Sequence, residues 1–238
     1  MVVVRAFMHS KCELFNCRSV LLSLLLMLSG CGVLDRQSMP YDAWRLGFIA
    51  PDYMEVWIET AQVVDVESYV FLGVGGGVAA MNYPDAFSSD VPKLFEGDPT
   101  GWPKHPSWGA GKYVRGSDLP KKIYVRWQSM VEPQTYEAYI EIPESTREMM
   151  RNSVEVFCRA DGKVITDYRE AIVIGLAPGG IAKTWVTGPC LKPIEVSRTQ
   201  ATVDPRGPYE GKSNGHYRPL TDISKAYVEK FGIPYESW

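Results

Sequence analysis

The first residue here with chemistry written into its surroundings is a thiol. Cys31 directly follows Leu28-Ser29-Gly30, at the end of the apolar run Val20-Leu21-Leu22-Ser23-Leu24-Leu25-Leu26-Met27-Leu28, with Lys11 and Arg18 upstream. A basic segment, a short apolar segment and then small residues mark an export signal rather than folded structure. The run from Ser19 to Ser29 is shorter than the roughly 20 apolar residues that a spanning helix needs. Leu-Ser-Gly-Cys resembles the bacterial lipobox, in which the cysteine is acylated and becomes the first residue of the mature chain. The same residues also suit an ordinary signal peptide, or a membrane anchor that ends near a cysteine.

The remaining thiols follow from that reading. Cys12 and Cys17 leave with the signal, and Cys31 takes the lipid. Of the 5 cysteines this leaves one pair, Cys158 and Cys190. In an oxidising periplasm such a pair is expected to form a disulfide. The bridge would close a loop of roughly thirty residues and stabilise by about 3 kcal/mol on the chain-entropy model. Two separately buried thiols are the alternative.

Other chemistry-bearing residues are weaker. His105 and His216 are the only histidines after the signal, and neither has a Cys or second His at ligand spacing, so no metal and no cofactor are expected. Gly211-Lys212-Ser213-Asn214-Gly215 fits the G-x-S-x-G pattern of a nucleophile elbow. That motif needs a buried strand before it and a helix after it. Here Asp204-Pro205-Arg206-Gly207-Pro208 precedes and His216-Tyr217-Arg218-Pro219 follows, so a turn is expected and no catalytic residue is assigned. Gly73-Val74-Gly75-Gly76-Gly77 and Gly109-Ala110-Gly111-Lys112-Tyr113 lack the Lys and Ser/Thr spacing of a phosphate loop. Glu137 and Glu141 share one strand face opposite Tyr124 and Arg126. Paired carboxylates can do acid/base work, but charges on alternate strand positions are the ordinary solvated face of a sheet.

Composition narrows the class. Of 238 residues, removal of the first 30 leaves 208, enough for one domain with a substantial core. Of 25 basic and 28 acidic residues, Arg5, Lys11, Arg18 and Glu13 depart with the signal. The mature chain then has 22 basic against 27 acidic residues, a net charge of −5. That argues against nucleic acid, which calls for a basic face, and supplies no polybasic patch for anionic lipid. Membrane attachment therefore falls to acylated Cys31, whose several chains would hold firmly.

The elements follow in order. Residues 31–40 form a short tether, and 41–238 a single β-rich domain. Ala43–Ile49 and Tyr53–Thr60 read as strands joined at Ala50-Pro51-Asp52 as a hairpin, the second with Met54, Val56 and Ile58 inward and Glu55 and Glu59 on a wet face. Residues 65–119 are irregular, broken at Gly73–Gly77 and by five prolines. Lys121–Ser129 and Thr135–Ile142 alternate as a hairpin, with Tyr136, Ala138, Ile140 and Ile142 inward. Pro143 opens a short helix through Asn152. Val154–Cys158, Tyr168–Leu176 and Ala182–Gly188 are strands, and another lies near Ile194–Val203. Thr221 caps a C-terminal helix with Ile223, Tyr227 and Phe231 on one face, and Gly232 and Pro234 stop it. The sum is an α+β, β-rich fold of eight or nine short strands in mainly antiparallel sheet, with a mid-chain helix and a C-terminal helix.

Aromatics offer the partner-binding candidates. Trp102, Trp108 and Trp238 lie in loops or at the terminus beside Pro and Gly, where exposed aromatics anchor protein interfaces. Packing into the core is the competing reading of the same residues.

Arg126-Trp127-Gln128-Ser129, Gln134-Thr135-Tyr136, Ile142-Pro143 and Gly175-Leu176-Ala177-Pro178-Gly179-Gly180 with Trp185 and Gly188 together resemble a family of Gram-negative lipoproteins known only as a domain of unknown function and common in pseudomonads. The likeness runs from about Tyr41 to Trp238. The resemblance implies association with type VI secretion clusters, where some such lipoproteins are immunity proteins against phospholipase effectors. It implies no catalytic residues. The partner that this resemblance implies is a protein toxin, a lipase, met at the membrane through Cys31, with Glu55, Glu59, Glu137 and Glu141 expected to steer a basic surface. A constitutive envelope-assembly role, or a hydrolase using Ser213 and His216, are the alternatives. By resemblance to known lipoprotein sorting, Gly32 rather than Asp after the cysteine implies the outer membrane, periplasmic face.

Overall fold

A computed structural model describes residues 39–80 and 97–238; Cys31, the signal and most of the tether lie outside the described residues. Alternating apolar residues drive two sheets together. One sheet runs β11 (Ile194–Gln200), β10 (Ile181–Thr187), β9 (Ala171–Ala177), β1 (Ala43–Ile49), β4 (Ala110–Arg115). The other runs β12 (Thr202–Val203), β6 (Gln134–Glu141), β5 (Pro120–Ser129), β2 (Val56–Asp65), β3 (Val70–Ala79). A separate hairpin pairs β7 (Val154–Cys158) with β8 (Lys163–Asp167). The two helices are α1 (Glu144–Arg151) and α2 (Asp222–Phe231). Trp44, Leu46 and Phe48 of β1 and Ile172, Ile174 and Leu176 of β9 meet Val56 and Ile58 of β2 and Ile123, Val125 and Trp127 of β5 in one core, as period-two side chains must when two sheets face each other.

The β-rich α+β class is as expected; several local readings are not. Ala50-Pro51-Asp52 is not a hairpin turn. It carries the chain from β1 in one sheet to β2 in the other, and β1 instead lies parallel to β9. Alternation identifies a strand but not its neighbour. The run Gly73–Gly77 does not break the chain either: it is the middle of edge strand β3. A Cβ at Gly75 would come within 2.6 Å of the Phe48 ring, and φ is +63° at Gly73 and +94° at Gly77. Glycine there lets a bulged edge strand curl over Phe48. With β3, the strands β4 and β8 are additions to those expected, and the stretch Ile194–Val203 divides into β11 and β12 in different sheets, which brings the total to twelve among the described residues.

The face of the second strand expected to be wet is covered: the outward residues of β2 are half-buried, and Glu55 stands just before it. Glu55 is 2% exposed, and its Oε1 accepts from Ser224 Oγ at 2.5 Å and Thr221 Oγ1 at 3.2 Å. The carboxylate thus sits at the N-terminus of α2, where the helix dipole favours it. Thr221 caps that helix by accepting from Ser224 N–H at 3.3 Å. Ile223 and Tyr227 pack into a second small core with Tyr53, Met54, Ala177 and Trp238, the Tyr53 and Tyr227 rings stacked 4.3 Å apart. Phe231, expected on the same face, is 56% exposed. Pro143 is the residue before α1 rather than in its first turn. No helix among the described residues is long and apolar enough to cross a membrane.

Candidate functional site

Cys158 closes β7, and Cys190 lies in the loop between β10 and β11. Their Cα atoms are 5.1 Å apart and the two are bridged, within the range a disulfide requires. A second tie reinforces the first: Cys190 N–H donates to the Asp167 carboxylate at 2.8 Å. The hairpin is therefore held against the β10–β11 loop from both of its strands. Between them lies an open groove of about 850 Å³, walled by β7 on one side and by Pro189–Lys192 on the other. Arg159, Arg169, Lys192 and His105 line it with Glu155 as the one carboxylate among the described residues, and Val156 and Phe157 supply apolar surface. Phe157 is 58% exposed and its cross-strand partner Val164 65%. Arg169 Nε is buried without a hydrogen-bond partner among the described residues.

The three tryptophans proposed as partner contacts are engaged by the protein itself. Trp102 covers the outer face of the β1–β9–β10 sheet, packing on Ile49, Val173 and Trp185, with its ring edge-on to Trp185 at 5.3 Å. Gly175 leaves the room: a Cβ there would stand 2.5 Å from Trp102. Trp108 lies beside Arg45, whose guanidinium is 5.6 Å from the ring centroid and donates to the carbonyls of Trp108 and Gly109. Trp238 is 5% exposed, and its indole N–H donates to Pro99 O at 2.7 Å. Trp238 is thus a core residue rather than an exposed anchor, and Trp102 and Trp108 are half-buried covers of a sheet. An aromatic that bridges a loop to a sheet gains more from burial than from waiting in water.

Arg126 and the carboxylates around it also depart from the solvated face that alternation suggested. Arg126 is 2% exposed. Its Nε donates to Glu59 at 2.6 Å, its Nη1 to Asp204, and its Nη2 to Gly207 O at 2.6 Å. Glu137 lies 3.7 Å from Nη1 and accepts from Tyr124 O–H at 2.9 Å. The segment 204–218 covers this face like a strap. Tyr209 N–H donates to Glu59 at 2.8 Å, Arg218 N–H to Gln128 at 2.9 Å, and the Arg218 guanidinium sits 4.0 Å over the Trp57 ring. Backbone φ is positive at Tyr209 and Glu210, so the docking contacts hold a conformation that side chains disfavour. Hydrogen bonds to Asp204 and Glu59 outweigh burial and raise the Arg126 pKa. Contacts from Arg206, then Arg126, hold Asp204 well below the usual carboxylate range. Burial, then Glu137, push Tyr124 up to about 12. The cluster is saturated with partners and works as a clamp. Glu55 and Glu59 are therefore not free to steer a basic partner, whereas the exposed Glu141 pairs with Lys122 at 2.7 Å.

Ser213 and His216 do not meet as nucleophile and base. Ser213 Oγ donates to Pro208 O at 3.3 Å, while the His216 ring contacts the Ser213 backbone carbonyl. The segment is a turn with positive φ at Gly211, Asn214 and Gly215. Gly109–Tyr113 leads into and forms much of β4. Among the described residues no group of three His, Cys, Asp or Glu is placed to hold a metal.

Sequence reasoning missed the groove because its cations are scattered over three segments. One signal pointed there: Arg159 and Lys192 each lie within two residues of a paired cysteine, so the bridge that joins the thiols also gathers the charges.

The fold and this groove define a two-sheet β-sandwich carrying a disulfide-clipped hairpin. Within that class, the family described as "Protein of unknown function (DUF2931)" matches residues 33–236, and the chain belongs to it. No curated protein and no solved structure matches the chain.

Proposed function

We propose that this is an envelope lipoprotein, tethered by acylated Cys31 to the periplasmic face of the outer membrane, whose domain binds and neutralises a secreted antibacterial effector, a phospholipase of a type VI system being the leading candidate. The observation that carries the binding role is the groove: a rigid scaffold, two covalently joined walls and a set of cations without ion-pair partners among the described residues. Preorganised walls lower the ordering cost of association. An anchor at the membrane under attack raises the binder's concentration where the toxin acts. The disulfide agrees with an oxidising compartment, and Leu28-Ser29-Gly30-Cys31 supplies the anchor.

Competition between a strain deleted for this gene and its effector-secreting parent tests the reading. The deletion strain is expected to lose, with wild-type gene restoring survival and Cys31→Ala restoring it poorly. Equal survival of deletion and parent overturns neutralisation. An envelope defect in monoculture would point instead to the constitutive assembly role.

A further inference from the structure

We infer that the groove beside the hairpin takes an extended acidic segment of a partner protein, which adds as a third strand along the free edge of β7. This rests on the binding role proposed above and names the partner's chemistry. Among the described residues β7 pairs only with β8, so its other edge has no strand neighbour there, and Val154–Phe157 line the groove. An unpaired strand edge offers backbone donors and acceptors to any extended chain laid beside it. Side chains of the added strand alternate between two faces, so acidic residues at every second position would present to one face. Arg159, Arg169 and Lys192 meet them: none has an ion-pair partner among the described residues, and Arg169 Nε is already desolvated without an acceptor. Apolar residues at the intervening positions would cover Val156 or Phe157. In a mature chain of net charge −5 this is a local reversal of sign, which selects an acidic partner where the earlier carboxylate-based expectation selected a basic one. A concave cleft bounded by a strand edge suits a peptide better than a flat lipid surface.

Panning a random-peptide display library on the detergent-solubilised lipoprotein tests this. Enriched peptides are expected to carry Asp or Glu at alternate positions. As synthetic peptides they should bind more weakly as salt rises, and lose at least about tenfold in affinity for the R159Q/K192Q double variant. Both substituted residues are exposed and have no hydrogen-bond or ion-pair partner among the described residues, so the variant should keep the wild-type circular dichroism. Enrichment without acidic excess, or affinity unchanged in the double variant, overturns the proposal. So does charge-dependent binding of C31A protein to phosphatidylglycerol vesicles in place of any peptide, which would assign the cations to a membrane. None of these readouts involves a toxin. A groove that binds acidic peptides in a protein whose deletion leaves cells unharmed would end the neutralisation reading and leave the groove assignment standing.

Discussion

Trp102 occupies the space that a side chain at Gly175 would need. A methyl at Gly175 would stand 2.5 Å from Trp102 Cη2 and 2.9 Å from Trp185 Cζ3. Gly175→Ala should therefore lift Trp102 from its seat and cost about 1–3 kcal/mol, the usual range for overpacking. Urea unfolding followed by tryptophan fluorescence checks it. In a Trp102→Ala background the same glycine substitution should cost clearly less, since coupled neighbours are not additive. Equal costs in both backgrounds would mean that Trp102 does not sit there.

Among the described residues Arg126 is the cation that bridges Glu59 and Asp204, with side chains 3%, 3% and 2% exposed, while Arg206 pairs with Asp204 alone from the exposed side, at 2.8 Å. Arg126→Met removes the charge, leaves Glu59 buried with no ion-pair partner among the described residues and leaves Asp204 to Arg206 alone. The expected loss is about 3–5 kcal/mol, as when one partner of a buried pair is deleted. Denaturant midpoints give the number; a loss below about 1 kcal/mol would show that water reaches the cluster and replaces the guanidinium.

The strap should respond to pH in one direction. Asp204 has its pKa depressed in the folded chain, chiefly by Arg206 and then Arg126. A depressed carboxylate contributes stability that is fully present above its unfolded pKa near 4 and is lost as pH falls toward the folded value. Hydrogen exchange of residues 204–218 should thus be flat in its protection from about pH 8 to pH 5 and weaken below about pH 4. In Asp204→Asn that acid-side weakening should shrink. Weakening that begins near neutrality would assign the transition to another group.

What alternation and punctuation can convey, they conveyed here: Thr221 caps its helix, Ala171–Ala177 is buried on both faces, and β5 pairs with β6. What covers a face is not written in the strand that owns it. Arg126 and Glu59 occupy outward positions of β5 and β2, and only the docking of 204–218 makes them interior. That segment, Asp204-Pro205-Arg206-Gly207-Pro208 onward, has no periodicity and gives a turn signal without a destination. The same holds for Trp102 and Trp108, whose loop returns onto β9 and β1 over a long sequence separation. Gly47 and Gly175 hinted at this, since a strand interior gains nothing from glycine unless something approaches closely. The groove was half legible, through the cysteine pairing that brings Arg159 beside Lys192.

Breaking that pairing gives the last prediction. The disulfide links positions 32 apart, and opening such a loop should cost about 2–4 kcal/mol. The loss should be local in its kinetics. The hairpin contributes one fully buried side chain, Cys158 itself, among half-buried and exposed neighbours, so little apolar contact holds it once the bridge is gone. In Cys158→Ser/Cys190→Ser, amide exchange of Val154–Asp167 should accelerate strongly, while β5 and β9 at the centres of their sheets keep most of their protection. The tie from Cys190 N–H to Asp167 would survive in the serine variant and should leave β8 slower to exchange than β7. Uniform loss of protection across both sheets would make the bridge a support of the whole sandwich, and the hairpin would then be part of its foundation rather than an attachment.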